Sequence, residues 1–326
     1  MYAKLKGTGQ YLPLKALSND ELAQYVETSD EWIKQRVGIA SRRIASARET
    51  VVFMATESAR RALEMANISA QDIDLIIVAT SSAEDRMPSV ASQVQRNLEI
   101  STGCPAFDIS AACSGFLYGL NLVEQYIKTG FAKRVLLIGA ERMSRLMDWS
   151  DRSTCVLFGD GAGAVLLEAS ETPGLLATCI HSEGQYRDLL FVDGGLPKDL
   201  FMESDSESID PVSLKMEGNK VFKYAINMLA EVATEVLHKA GVPASQVDWL
   251  VPHQANERII VGTAKKLGLS MDRVILTLSQ HGNTSAASVP LALDDGIRSG
   301  KIKPGQLVLF EAFGAGFVWG ASLMRM

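Results

Sequence analysis

The chain writes one order of elements twice. Asp72-Ile-Asp-Leu-Ile-Ile-Val-Ala79 and Gln246-Val-Asp-Trp-Leu-Val251 are strand-like apolar runs that share a hydrophobic–Asp pair, Ile73-Asp74 and Val247-Asp248, 174 positions apart. Ile127-Lys-Thr-Gly130 before Arg134-Val-Leu-Leu-Ile is echoed by Ile297-Arg-Ser-Gly300 before Gln306-Leu-Val-Leu-Phe, the two glycines 170 apart. Each match is short, but their order and spacing agree, and self-similarity at a fixed period marks a duplicated structural unit. The 326 residues leave room for about two domains. The repeat makes them two copies of one motif.

Around these anchors, strand-like runs alternate with amphipathic helices. Thr50–Ala66 reads as a helix, Pro105–Ile109 as a short strand, and Ser114–Lys128 as a helix closed by Gly130. Arg134–Gly139 is a further strand, and Val221–Ala240 is a helix ending at Gly241. This alternation predicts an α/β protein with a largely parallel sheet covered on both faces. The expected division is an N-terminal half over 1–170, a connecting, substrate-covering segment over 171–216 and a C-terminal half over 217–326. Within the connection, 183–216 reads as irregular, with Gly194-Gly195, Pro197, Pro211 and the acidic run Glu203, Asp205, Glu207, Asp210. A connection that long inside a compact chain is usually functional.

Composition removes several classes of function. With 47% hydrophobic and 21% charged residues the chain is globular, not disordered. A net charge of −6 argues against nucleic-acid binding through a general basic surface. Cys104, Cys113, Cys155 and Cys179 form no Cys-x-x-Cys pair, which excludes zinc ribbons and thioredoxin-like redox motifs, and a chain this long and this poor in Cys is not expected to carry a disulfide framework. The N-terminus lacks the apolar core of a signal peptide, and no run approaches the ~18 apolar residues of a membrane span. A cytoplasmic location follows as the expectation.

Few residues remain to carry chemistry. Cys113, in Ser110-Ala-Ala-Cys-Ser-Gly-Phe116, falls between a strand and a helix N-terminus, where the helix dipole is expected to enrich the thiolate. A buried structural cysteine is the alternative, and it suits the other three better. His253, in Val251-Pro-His-Gln-Ala-Asn256, follows a strand end; a lone histidine there is more often a hydrogen-bonded structural residue, but the duplication shifts the balance, since open α/β sheets place ligands at strand ends. Asn283, in Gln280-His-Gly-Asn-Thr-Ser-Ala-Ala-Ser288, falls on Cys113 when the 170-residue offset is subtracted. Glu311-Ala-Phe-Gly-Ala-Gly-Phe317 offers backbone N–H groups for an oxyanion, or simply a tight bend. Phe158-Gly-Asp-Gly-Ala-Gly-Ala164 lacks G-x-G-x-x-G spacing and no phosphate-binding loop is present, so nucleotide cofactors have no motif support. Trp32 and Arg36 stand i,i+4 on a helix begun by Thr28-Ser-Asp-Glu31; they form either a surface cation–π pair or a platform for a flat ring bearing phosphate. Arg258, Lys265 and Lys266 make a local basic patch.

Ala111-Ala-Cys-Ser-Gly-Phe, Gly159-Asp-Gly-Ala-Gly-Ala, His253-Gln-Ala-Asn, His281-Gly-Asn-Thr-Ser-Ala-Ala-Ser and Phe313-Gly-Ala-Gly-Phe, in this order, resemble β-ketoacyl-[acyl-carrier-protein] synthase III. The resemblance extends over essentially the whole chain, including Thr28-Ser-Asp-Glu-Trp-Ile-Lys-Gln-Arg36. It implies a thiolase-like fold, with duplicated βα halves in a five-layered αβαβα arrangement and a homodimer. It implies a decarboxylative Claisen condensation of acetyl-CoA, or a short acyl-CoA, with malonyl-[acyl-carrier protein] in fatty-acid initiation, without metal or resident cofactor. By the same resemblance Cys113 accepts the acyl group, and His253 and Asn283 form the decarboxylation pair. Backbone N–H groups of Cys113 and Ala315 form the oxyanion hole, with Ala315 standing where the family commonly has Gly. Trp32 and Arg152 sandwich the coenzyme A adenine, and Arg36 and Asn219 are further coenzyme contacts. Arg258, supported by Lys223, Lys265 and Lys266, docks the carrier protein. Met87 occupies an acyl-pocket position, often aromatic in the family, that is contributed across the dimer.

Three other readings compete. Cysteine peptidases share the chain order Cys, His, Asn, but not the sequence around the nucleophile or the internal repeat. A non-catalytic scaffold is expected to have lost Cys113, His253 or Asn283, and all three stand. A condensing enzyme taking a longer or branched primer in a specialised pathway stays within the same fold.

Overall fold

The computed structural model describes residues 1–193 and 212–326. The glycine pair, both prolines and the whole acidic run of the central connection lie outside the described residues. Two sheets carry the fold. The first contains β1 (Tyr2–Tyr11), β2 (Leu75–Ala79), β3 (Ala106–Ile109), β4 (Arg134–Arg142) and β5 (Asp160–Ser170), in the spatial order β1-β5-β4-β2-β3. The second contains β6 (Leu175–Ser182), β7 (Trp249–Pro252), β8 (Leu307–Gly314) and β9 (Val318–Arg325), in the order β6-β9-β8-β7.

The two orders are the same order. In the first sheet β1 and β4 flank β5 antiparallel, and β4 runs parallel to β2. In the second, β6 and β8 flank β9 antiparallel, and β8 runs parallel to β7. The counterpart of β3 shrinks to a single parallel bridge between Leu250 and Val274. The paired aspartates perform matching tasks. Asp74 accepts the Lys133 and Arg134 N–H groups at 2.9 and 2.8 Å, and Asp248 accepts that of Leu307 at 2.7 Å. Each carboxylate thus fixes where the neighbouring strand begins.

The main helices are α1 (Asp30–Val37), α2 (Val51–Ala66), α3 (Gly115–Lys128), α4 (Gly218–Ala240), α5 (Glu257–Lys266) and α6 (Ser288–Arg298). Helix α2 covers the outer face of the first sheet and α4 that of the second, while α3 and α6 lie between the sheets. This is the five-layered thiolase-like arrangement. The middle layer buries Phe116, Leu117 and Leu120 of α3 with Val289, Ala292 and Leu293 of α6 in one apolar core. Burial of such side chains is worth about 1.5–3 kcal/mol each.

Two expectations are corrected. The stretch 171–216 is not only a connection: β6 is the counterpart of β1 and belongs to the second sheet, and 190–193 pairs antiparallel with 213–216. The 170-residue offset that set Asn283 on Cys113 is local. The helical turns entering α3 and α6 are 112–114 and 285–287, each beginning at a left-handed residue, Ala112 (φ 43°) and Ser285 (φ 49°). That register sets Ala286 opposite Cys113. Helix α6 has 11 residues against 14 in α3, and the loop after it is correspondingly longer, so the offset of 170 holds only at the helix ends.

Candidate active site

Cys113 sits in the turn 112–114 between β3 and α3, in the middle layer where the two halves meet. It is 8% exposed. The end of β8 closes against it: a Cβ on Gly314 would lie 2.7 Å from the Cys113 backbone nitrogen, so glycine is required for this approach. Burial pushes the Cys113 thiol up to about 12, with the Glu141 carboxyl adding to the rise and the Ser285 hydroxyl opposing it. This reverses the expected helix-dipole effect, because the cysteine lies inside the protein, in a short turn ahead of the helix.

His253 follows β7 and is 6% exposed. Its backbone N–H donates to the Glu311 carbonyl at 2.7 Å, tying it to β8, and its Nδ1 lies 2.6 Å from the Ser288 Oγ. Burial lowers the imidazole to about 3, so the ring is neutral around pH 7. Asn283, 5% exposed, is held by Ser285, whose N–H donates to its Oδ1 at 2.9 Å.

Gln254 ties the histidine loop to the asparagine loop. Its Nε2 donates to the Pro252 and Ile275 carbonyls at 2.8 and 3.1 Å, and its Oε1 accepts the Thr277 and Leu278 N–H groups at 2.9 and 3.0 Å. All four bonds of the buried amide are made. Asn256 then caps α5 by accepting the Arg258 N–H at 2.9 Å. Sequence reasoning picked out His253 here and missed Gln254, Ser285 and Ser288, although all stand inside the motifs that drew attention.

Two cavities meet at Cys113. One, of about 250 Å³, is lined by Cys113, His253, Asn283 and Phe313 in its depth, and by Trp32, Arg36, Asn219 and Arg258 farther along. The other, of about 380 Å³, is mainly apolar and runs past Met143, Phe158, Leu190 and Leu214, with Ala315 in its wall. A thiol at this junction can hold a group projecting into either space. The two nitrogen side chains are presented on one side only. Among the described residues, no group of three or more His, Cys, Asp or Glu is placed to hold a metal ion.

Comparison with known proteins agrees with this geometry. The family model for 3-oxoacyl-[acyl-carrier-protein] synthase III matches residues 107–184, and that for its C-terminal part matches 237–326. β-Ketoacyl-[acyl-carrier-protein] synthase III of Neisseria meningitidis is 54% identical over 324 residues, covering 99% of each chain. The chain belongs to the β-ketoacyl-[acyl-carrier-protein] synthase III family. The corresponding protein of Psychromonas ingrahamii is 53% identical over 326 residues, covering 100% of each chain. A crystal structure of the synthase III of Aquifex aeolicus superposes with a TM-score of 0.92 at 47% identity, covering 99% of this chain and 100% of that one. Members of this family are acyltransferase-class condensing enzymes.

The remaining positions suggested by the synthase III resemblance are not all together. Two guanidinium groups lie against the Trp32 ring, Arg36 at 5.7 Å and Arg152 at 5.2 Å from its centroid. Arg152 also donates to the Glu27 carbonyl at 3.1 Å. Trp32 and Arg152 are thus in direct contact, and a base entering between them must part them by a ring thickness. Arg258 lies over Phe222, 5.1 Å from the centroid, beside the first cavity. Lys265 and Lys266 are exposed on the last turn of α5, and Lys223 is exposed on α4. Met87 lines neither cavity and is 82% exposed.

Proposed function

We propose that the chain condenses acetyl-CoA, or a short acyl-CoA, with malonyl-[acyl-carrier protein] to give a 3-ketoacyl-[acyl-carrier protein], the initiating step of fatty-acid synthesis. The observation that carries this reading is the junction of two cavities at Cys113, with His253 and Asn283 on one side of it. Synthase III relatives at 53–54% identity across the full chain support the initiating enzyme over a specialised condensing enzyme.

Cys113 attacks the acyl thioester carbonyl, forming the cysteinyl thioester and releasing coenzyme A, which takes up the thiol proton. The backbone N–H groups of Cys113 and Ala315 hold the tetrahedral oxyanion. The acyl chain lies in the apolar cavity, leaving the first cavity for the pantetheine arm. Malonyl-[acyl-carrier protein] enters there and loses its carboxylate as carbon dioxide. His253 Nε2–H and the Asn283 amide donate to the enolate oxygen as charge develops on it. The enolate carbon attacks the acyl-Cys113 carbonyl, and the cysteine leaves as thiolate and is reprotonated. Neutral donors suit a step that creates negative charge. An imidazole that stays neutral down to about pH 3 fits that role and not that of a general acid.

Trp32, Arg36, Arg152 and Asn219 serve the coenzyme, and Arg258 with Lys223, Lys265 and Lys266 docks the acidic carrier protein on a chain of net charge −6. The protein acts as a cytoplasmic homodimer without a resident cofactor, and Met87 reaches the partner's acyl cavity. The test is condensation itself. Acetyl-CoA with malonyl-[acyl-carrier protein] is expected to yield 3-ketoacyl product and carbon dioxide, ahead of longer primers in a chain-length panel. A preference for long or branched primers contradicts assignment to initiation.

A further inference from the structure

The contact between His253 and Ser288 raises the question of which partner carries the proton. Ser288 is the first residue of α6 and is 1% exposed. Its hydroxyl does not cap that helix, which has no side-chain cap hydrogen bond. The Oγ accepts the Gln254 N–H at 3.4 Å and lies 2.6 Å from His253 Nδ1. A buried hydroxyl must place its own hydrogen on an acceptor. Among the described residues, His253 Nδ1 is the acceptor this hydroxyl meets. The neutral ring has one protonated and one bare nitrogen, so a bare Nδ1 puts the hydrogen on Nε2.

The duplication shows that the fold itself does not need this hydroxyl. In the first half, helix α3 begins at the matching position with Gly115. A Cβ there would stand 3.0 Å from that of Ala79, so a side chain at this position would require its neighbour to give way. Both helices start in the same register after a left-handed residue, one with no side chain and one with serine. The half that carries His253 is the half that carries the hydroxyl.

We propose that Ser288 is a positioning residue for the condensation, donating its hydroxyl proton to Nδ1 of His253 and so holding the imidazole with hydrogen on Nε2. The Gln254 N–H occupies one lone pair of the same oxygen, and the hydroxyl hydrogen remains to be placed on Nδ1. The role of Ser288 in turnover rests on the reading of His253 as an enolate donor; the tautomer does not.

Nitrogen-15 NMR of the full-length protein labelled in histidine tests the tautomer, with His253 assigned by its loss in His253→Gln. The expected spectrum shows Nδ1 as a bare ring nitrogen and Nε2 protonated from pH 6 to 8. A proton on Nδ1 overturns the proposal. In Ser288→Ala the two tautomers are expected to mix. Malonyl-thioester decarboxylation should fall at least about tenfold while acetyl transfer to Cys113 stays within about threefold. Ser288→Thr, which keeps the hydroxyl, should restore both the spectrum and the rate. Decarboxylation within twofold of wild type in Ser288→Ala, with Nε2 still protonated, also overturns the proposal. If Ser288→Ala does not fold, the wild-type spectrum decides alone. Undiminished decarboxylation in His253→Gln contradicts the enolate-donor reading, whatever the tautomer.

Discussion

The Ser285 backbone N–H donates to Asn283 Oδ1 at 2.9 Å, which leaves the NH₂ end of the amide as the end that can face the cavity. A carboxylate in its place keeps the Ser285 bond but turns a negative oxygen toward the forming enolate. Asn283→Asp is therefore expected to lower malonyl decarboxylation by about 10²-fold or more. Acetyl loading of Cys113, measured by single turnover, should change far less. Equal losses in both half-reactions would mean that Asn283 supports the nucleophile instead.

Cys113 is a thiol at rest. Burial pushes its titration up to about 12, so the thiol form predominates at pH 7. Its alkylation by iodoacetamide, followed on the Cys113 peptide by mass spectrometry, is expected to climb about tenfold per pH unit from 7 to 10. A plateau reached below pH 8 would show that the helix dipole prevails over burial after all.

Gly314 controls how closely β8 approaches the nucleophile. A Cβ there would meet the Cys113 nitrogen at 2.7 Å, so Gly314→Ala must displace either the turn 112–114 or the strand end. Acetyl loading is expected to drop at least about tenfold, since small displacements of reacting groups carry costs of that order. A circular-dichroism spectrum like that of the wild type would locate the effect in the site. Loading at the wild-type rate would show that the strand end yields freely.

Glu311 is buried on β8, and neither of its carboxyl oxygens has a hydrogen-bond partner among the described residues. Burial raises it from 4.5 to about 8. The folded state therefore holds the proton more tightly than the unfolded chain. The stability this contributes is complete below about pH 4.5 and is lost as pH rises through 8. His253 and His281, lowered to about 3 and about 4, act oppositely and cost stability as pH falls below 6.5. Comparing Glu311→Gln with wild type cancels the histidines. The variant should gain on wild type between pH 5 and 8.5 by an amount on the order of 3–5 kcal/mol, read from denaturant melts. Parallel pH profiles would mean that Glu311 is not held protonated.

Much of this was legible in the sequence, for reasons that particular residues make plain. Ile73-Asp74 and Val247-Asp248 recur because each aspartate anchors the start of a neighbouring strand, so the duplication shows in the letters. Cys113, His253 and Asn283 stand out because few other residues of their kinds exist to compete. The pairing of Cys113 with Asn283 went astray because α6 is three residues shorter than α3, which spacing alone hides. The direction of the Cys113 shift depends on burial, a property of the packed middle layer and not of the helix start. Ser288 and Gln254 act through a hydroxyl and an amide aimed across the chain, and no periodicity reports where a side chain points.

The central claim is that Cys113 takes the acyl group. Incubation with acetyl-CoA alone, followed by intact-protein and peptide mass spectrometry, is expected to add one acetyl group per chain on the Cys113 peptide. Cys113→Ala should gain none. Acetylation of Cys113→Ala to the wild-type extent would contradict the account.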